Sequence, residues 1–169
     1  MLEDSRLQVE LLYLSLGILI IGALVGVFVG IFLPHEQVSW RWFIELVVLS
    51  LVALPIHELV HAAAFLVLTG FRAHVSFGFS HGMLFTRAPG TMLRRVWFCC
   101  VLMAPAVILT TLLWVGCALF GKPLLGMFCA VVHLAGCTGD AALVHAICSE
   151  PRANLVEDTP RGVSLIHDE

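Results

Sequence analysis

Long apolar segments constrain this chain more than any other feature. At a rise of about 1.5 Å per residue, each is long enough to cross about 30 Å of hydrocarbon as a helix. With 60% apolar and 12% charged residues, the 169-residue chain also lies outside the range of soluble globular proteins. The sequence therefore predicts an all-α membrane protein forming a single domain over residues 1–169. We expect four transmembrane helices, at about 11–33, 43–68, 96–120 and 124–148.

Basic residues are distributed unevenly between the two sides that four spans would create. One side holds both termini, including the tail 149–169, and the loop 70–95 between spans two and three. Because positively charged loops are retained in the cytosol, we expect both termini of this multi-pass protein to be cytosolic. The net charge of −3 and the lack of a basic stripe exclude nucleic acid as an expected partner. The residues on the cytosolic side are Arg6, Arg72, Arg87, Arg94, Arg95, Arg152 and Arg161, against Arg41 and Lys122 on the other.

The second apolar segment contains the motif His57-Glu58-Leu59-Val60-His61. On a helix, histidines four residues apart share a face and can bind one Zn²⁺, while the glutamate reaches a water molecule at the metal. An ionisable group within hydrocarbon is costly unless it has a partner or a function. The motif predicts one zinc ion per chain, bound by His57 and His61, with Glu58 as general base and acid in peptide hydrolysis.

Asp140, in the fourth segment, is the predicted third zinc ligand. Spans two and four run in the same direction, with His57 14 residues beyond Phe43 and Asp140 16 residues beyond Leu124. The helical rise puts both at about 20 to 25 Å of depth. Zinc held by two histidines normally takes a third protein ligand and a water molecule. The alternative is that Asp140 lies near the membrane surface and is solvated.

His133 precedes Asp140 by two helical turns and is open to three interpretations. It is a further ligand, a group that hydrogen-bonds to substrate, or a histidine with a polar partner on another helix. We expect His145 to face elsewhere, and His74 and His81 to be ordinary loop residues.

The loop 70–95 has the pattern of a β-hairpin. Val75, Phe77 and Phe79 alternate with smaller residues, and Ser80-His81-Gly82 is typical of a turn. Phe77 and Phe79 are candidate substrate-binding residues, because an exposed strand edge can bind an extended peptide. The alternative is a hairpin that anchors at the membrane interface and has no role in substrate binding.

Two further features concern helix packing. Gly22, Gly26 and Gly30 have the four-residue spacing that lets another helix approach closely, which favours either a homodimer or packing against the chain's own spans. The cysteines form no C-x-x-C pair, and we interpret them as small apolar residues within the helices. They are Cys99, Cys100, Cys117, Cys129, Cys137 and Cys148.

Together, the HELVH motif, the pair Gly139-Asp140 and the tail segment Val156–Val163 resemble those of the small membrane-embedded zincin peptidases. The arrangement is similar to the site-2 protease class of intramembrane metalloproteases, in which an H-E-x-x-H helix and an aspartate from a later span hold catalytic zinc. This resemblance implies that His57 and His61 are the zinc histidines, Glu58 the catalytic glutamate and Asp140 the distal aspartate.

The chain also departs from the site-2 pattern. Site-2 proteases carry an asparagine and a proline upstream of the aspartate, which is followed by glycine. In this chain, glycine (Gly139) precedes Asp140. The single asparagine is Asn154, which lies outside the spans, and His133 stands near the expected asparagine position. The resemblance therefore implies zinc binding more directly than it implies peptidase activity.

The expected partners are the lipid bilayer and a membrane protein or peptide substrate. A non-proteolytic alternative stays open, in which the protein is a metal transporter or a scaffold that binds zinc. A transport pathway usually needs polar residues on several spans, and the first span has almost none. The intact Glu58 argues against a scaffold, because a purely structural zinc site does not need it.

Overall fold

The computed structural model describes residues 5–32, 36–80, 83–150, 152–159 and 162–167. In this part of the chain, helices predominate and are accompanied by two small antiparallel sheets. The helices are α1 (Ser5–Phe32), α2 (Trp40–Leu68), α3 (Arg95–Leu119), α4 (Pro123–Gly136) and α5 (Thr138–Cys148). By length and composition, α1, α2 and α3 are able to cross a membrane, and α4 with α5 forms a fourth candidate if the bent pair is one span. The mostly helical, apolar fold is therefore confirmed.

The predicted span 124–148 consists of two helices, α4 and α5, in the structure. The chain bends by 47° between α4 and α5, at Cys137. Two local causes lie next to the break. Gly136 and Gly139 have low helix propensity, and Thr138 turns its Oγ1 back to donate to the carbonyl oxygen of Ala135 at 3.2 Å. As a result, a new helix begins just before Asp140.

The predicted hairpin in the loop 70–95 is confirmed. Strands β1 (Ser76–Ser80) and β2 (Met83–Arg87) pair in antiparallel register, with Phe77 opposite Thr86 and Phe79 opposite Leu84. The turn residues His81 and Gly82 lie outside the described residues.

A second sheet corrects the all-α prediction and the interpretation of 149–169 as a simple tail. Strand β3 (Met92–Arg94) precedes α3, and β4 (Ala153–Thr159) and β5 (Gly162–His167) follow α5. The strands are antiparallel in the order β3-β4-β5. Ala153 and Val156 are fully buried, so the tail contributes to the core.

Contacts divide the chain into two compact units, each described by itself. The first comprises the residues up to Ala53 together with Ala106–Gly139. In it, the glycines of α1 lie against α4: a methyl group at Gly22 would lie 2.3 Å from Val131 Cγ1, and one at Gly26 would lie 2.6 Å from the ring of Phe128. Intramolecular packing of these glycines is thus confirmed. A homodimer through Gly22, Gly26 and Gly30 stays a prediction.

The start of α4 is fixed by polar contacts within the same unit. The carboxylate of Glu36 accepts hydrogen bonds from the backbone N–H groups of Leu124 and Leu125 and from Trp42 Nε1. These two amides belong to the first turn, where helical N–H groups have no partner within the helix. Glu36 therefore caps α4, and Lys122 pairs with Glu45 beside it.

The second unit comprises Leu54–Pro105 and the residues from Asp140 onward. Its core is formed by Phe65 of α2, by α3 residues, by Ile147 of α5 and by Val156 of β4; the α3 residues are Phe98, Val101 and Leu102. Burial of these side chains packs the second half of α2 against α3, α5 and the second sheet. This packing holds the elements that carry the HELVH motif and Asp140.

Candidate metal centre

The imidazole rings of His57 and His61, both on α2, bring their Nε2 atoms together. His57 and His61 are four residues apart, and their Nε2 atoms are 3.1 Å from each other. The rings meet edge to face, with centroids separated by 4.7 Å. His61 is only 7% exposed and His57 is half-buried. The helical spacing alone explains the shared face.

A backbone carbonyl from α3 orients His61. The Nδ1 atom of His61 lies 3.0 Å from the carbonyl oxygen of Val101. Because a carbonyl oxygen only accepts hydrogen bonds, Nδ1 carries the proton and donates, which leaves the lone pair of the neutral ring on Nε2. Histidine ligands of metals are commonly held in this way. The contact thus prepares Nε2 of His61 to bind a cation.

Asp140 approaches both histidines from the first turn of α5. Its Oδ2 atom is 3.2 Å from Nε2 of His57 and 3.5 Å from Nε2 of His61. The N-terminal end of a helix carries partial positive charge, which favours an ionised carboxylate there. The break at Cys137 therefore provides both the position and an electrostatic environment suited to Asp140.

The three donor atoms have the spacing expected of zinc ligands. Atoms about 2.0 to 2.2 Å from a tetrahedral zinc ion lie about 3.3 to 3.6 Å from one another. The corresponding separations here are 3.1, 3.2 and 3.5 Å. Two imidazole nitrogens and one carboxylate oxygen also match the donor types and number of catalytic zinc sites. The residues present therefore fit the ion, and their role as ligands stays a prediction.

Glu58, the predicted catalytic residue, is half-buried and follows His57 on α2. Its backbone carbonyl oxygen accepts a hydrogen bond of 2.9 Å from Oγ1 of Thr86, on strand β2. This bond links the hairpin to the motif, and the sequence does not predict it. The sequence carries no signal for this contact, because the hairpin pattern does not show which backbone carbonyl of α2 the hydroxyl of Thr86 reaches.

The other residues considered from the sequence are His133, Phe77, Phe79, His74 and His145. His133 is buried in the first unit, with Nδ1 2.8 Å from Oγ1 of Thr110 on α3, as expected of a histidine with a polar partner on another helix. Its role as a ligand or substrate contact stays a prediction. Phe77 and Phe79 are exposed on β1, Phe79 by 70%, and their substrate role is likewise untested. His74 and His145 are exposed.

A family model described as "Putative zincin peptidase" matches residues 50–155, more than half of the chain. The chain belongs to this zincin peptidase family. The matched range contains the HELVH motif, the hairpin and Asp140, but it ends before Val156. The tail segment Val156–Val163 is therefore not part of the family match. Comparison with curated proteins and with solved structures found no match. Membership of a zincin peptidase family indicates a zinc metallopeptidase.

Proposed function

We propose that this protein is a membrane-embedded zinc metalloprotease that hydrolyses peptide bonds of membrane or membrane-proximal proteins. One observation carries the proposal: donor atoms of His57, His61 and Asp140, which come from two separate helices, lie within 3.5 Å of one another. The zincin peptidase family supports the same chemistry.

The membrane part of the proposal depends on the helix that holds the motif. Helix α2 is 29 residues long and apolar enough to span a bilayer, and the motif lies in its second half. Burying ionisable side chains in such a helix is costly, so a bound cation and a catalytic role account for their presence. The proposed arrangement resembles that of the site-2 protease class, in which an aspartate from a later span completes the site.

The roles of the chain's own residues follow from their positions. His57, His61 and Asp140 would hold the zinc ion, and the carbonyl of Val101 would keep His61 in the binding tautomer. A bound zinc ion supplies Lewis acidity, which lowers the pKa of a water molecule toward neutrality and polarises the scissile carbonyl.

Glu58 is the proposed proton carrier. Its carboxylate accepts a proton from the water molecule as that water attacks the carbonyl carbon, and then donates the proton to the leaving amine nitrogen. One proton is thus moved from nucleophile to leaving group, and Glu58 returns to its ionised form. The hydrogen bond from Thr86 holds the backbone at Glu58 and limits the movement of this part of α2 relative to the hairpin.

Comparison of Glu58→Gln with the wild type tests the proposal. The variant keeps the size and polarity of the side chain, so it should retain zinc and lose the ability to carry the proton. We expect membrane protein fragments with new N-termini in cells that express the wild type, and their absence with Glu58→Gln at equal expression. Equal fragment levels with both proteins, in cells that lack an endogenous copy, would refute proteolysis by this site. A transporter or a scaffold predicts that outcome.

A further inference from the structure

A hydroxyl group of α1 lies at the break between α4 and α5. Oγ of Ser15 donates a hydrogen bond of 2.9 Å to the carbonyl oxygen of Ala135 and lies 2.9 Å from Oγ1 of Thr138. Thr138 donates to the same carbonyl oxygen at 3.2 Å. Ala135 is in the last turn of α4, Thr138 is the first residue of α5, and all three residues belong to the first unit. Two hydroxyl groups and one carbonyl group are thus bonded together across the break.

These bonds satisfy a backbone group that the break leaves without a helical partner. Carbonyl oxygens in the last turn of a helix accept no hydrogen bond from further along that helix. In a span that crosses a membrane such oxygens are costly, and serine and threonine side chains satisfy them. Thr138 is only 7% exposed and Ser15 is half-buried, so water replaces their hydroxyl groups poorly. Thr138 is a local donor, whereas Ser15 ties the break to a different helix.

The packing of α1 on α4 determines which residue reaches the break. Ser15 lies seven residues before Gly22, so both are on the face of α1 that carries the other two packed glycines. This face meets α4 in antiparallel order, because successive glycines of α1 lie against successively earlier residues of α4. The pairs are Gly22 with Val131, Gly26 with Phe128 and Gly30 with Leu124. Two turns before Gly22 on α1 therefore correspond to two turns beyond Val131, which is the break.

We propose that Ser15 is a positioning residue for Asp140. Asp140 follows Thr138 by two residues, in the first turn of α5. By holding the backbone at the break, Ser15 restrains the start of the helix that carries this carboxylate. Ser15 acts through the break, and its effect on zinc rests on the proposed function.

This restraint comes from outside the part of the chain that matches the family. The matched residues 50–155 include Thr138 and Asp140, but they do not include Ser15. Helix α1 would therefore do more than anchor the chain in the membrane. It would stabilise the geometry of a metal ligand that lies on another span.

The first test asks whether Ser15 holds the break. Ser15→Ala removes the hydroxyl group, and Ser15→Thr keeps it. Hydrogen exchange of the full chain in detergent micelles should be about three- to tenfold faster at residues 138–142 in Ser15→Ala, as expected for the loss of one hydrogen bond. Ser15→Thr should be close to the wild type, and so should the control Gly17→Ala on the same helix. Unchanged exchange in Ser15→Ala would overturn the proposal.

The second test asks whether Ser15 acts through Asp140. Competition with a zinc-binding dye should show affinity about three- to tenfold weaker in Ser15→Ala. In the Asp140→Asn background, Ser15→Ala should have no further effect, because the group that it positions no longer carries its charge. Glu36→Ala, which removes the cap at the opposite end of α4, should leave zinc affinity unchanged.

Two results would reduce Ser15 to a merely structural role. One is an equal loss of zinc affinity in Glu36→Ala, and the other is the same effect of Ser15→Ala with and without the Asp140 carboxylate. A wild-type protein that binds no zinc would instead refute the proposed function. The exchange measurement would still decide whether Ser15 anchors the break, since it does not depend on zinc.

Discussion

At the scale of single residues, the site depends on a few orienting contacts. The carbonyl oxygen of Val101 accepts a hydrogen bond from Nδ1–H of His61, which leaves the Nε2 lone pair available to a metal. Asp140 reaches the histidines because α5 begins beside it. The spacing of the HELVH motif predicts the shared face of the histidines. The sequence cannot identify the carbonyl that bonds to His61, because every residue has a backbone carbonyl. The packing of α3 determines that Val101 is the partner.

Replacement of Asp140 tests its contribution directly. Asp140→Asn keeps the shape of the side chain and removes the charge that balances the cation. We expect zinc affinity to fall by more than the roughly 10- to 100-fold that follows loss of an outer hydrogen bond at a metal site. Competition with a zinc-binding dye measures this affinity, and Asp158→Asn, an aspartate away from the site, is the control. Unchanged affinity in Asp140→Asn would remove the aspartate from the ligand set.

The buried carboxyl group of Asp158 should make the stability of the protein depend on pH. Burial raises the pKa of this carboxyl group above its ordinary value of 3.8, although the group accepts a hydrogen bond from the backbone N–H of Ala88. The folded protein therefore holds the proton more tightly than the unfolded chain does. The contribution of this group to stability is fully present below 3.8 and is lost as pH rises through the raised pKa.

Comparison with Asp158→Asn isolates this effect, because the variant cannot titrate at that position. The difference in free energy of unfolding, wild type minus variant, should fall as pH rises from below 3.8 to neutrality. Denaturant titration in micelles measures it. A difference that stays constant or grows over this range would contradict the assignment of a raised pKa to Asp158.

At the scale of secondary structure elements, the sequence predicts the hairpin, but it leaves open which helices pack together and where the fourth apolar segment breaks. The glycines at 22 and 26 predict a close helix contact, but their spacing is equally suited to a second copy of the chain and to α4. The break at Cys137 was missed because its flanks are apolar and long enough for one span. Glycines within apolar helices are common, so they did not indicate a break by themselves.

The α1–α4 contact makes a prediction with a matched control. Gly22→Ala and Gly26→Ala force a methyl group into α4 and should destabilise the protein by about 1 to 3 kcal/mol. Apart from the adjoining backbone of α1, no atom of the described residues lies within 4 Å of the corresponding position at Gly17. Gly17→Ala should therefore be neutral or slightly stabilising, because alanine favours the helix. Unfolding in mixed micelles compares them. Equal effects of the three substitutions would mean that α1 does not pack on α4 through these glycines.

The hydrogen bond between the hairpin and α2 gives a further prediction. Thr86→Val is close in shape and removes the hydroxyl that bonds to the carbonyl of Glu58, whereas Thr86→Ser retains it. We expect Thr86→Val to weaken the attachment of the hairpin by about 1 kcal/mol. Faster hydrogen exchange at residues 83–87 should result, with Thr86→Ser close to the wild type. Identical exchange in Thr86→Val and Thr86→Ser would show that this bond does not hold the hairpin.

For the whole molecule, hydropathy predicts the long helices and the HELVH motif predicts the candidate metal site. The sequence does not predict the strands of the C-terminal tail. The apolar segments correspond to helices because their length and composition leave few alternatives. The sequence does not predict strands β4 and β5. Asp158, next to the last residue of β4, occupies an inward-facing position and is only 8% exposed. A buried carboxylate disturbs the alternation that marks a half-buried strand. The hydrogen bond from the backbone N–H of Ala88 to the carboxylate of Asp158 helps to explain that position.

The central claim is that a single zinc ion lies between His57, His61 and Asp140. The most direct measurement is the metal content of the purified chain, combined with X-ray absorption at the zinc edge. We predict one zinc per chain, surrounded by two imidazole nitrogens and oxygen donors, retained in Glu58→Gln and lost in His57→Ala and Asp140→Ala. Wild-type protein without stoichiometric zinc after reconstitution, or zinc that persists unchanged in both ligand variants, would contradict the account.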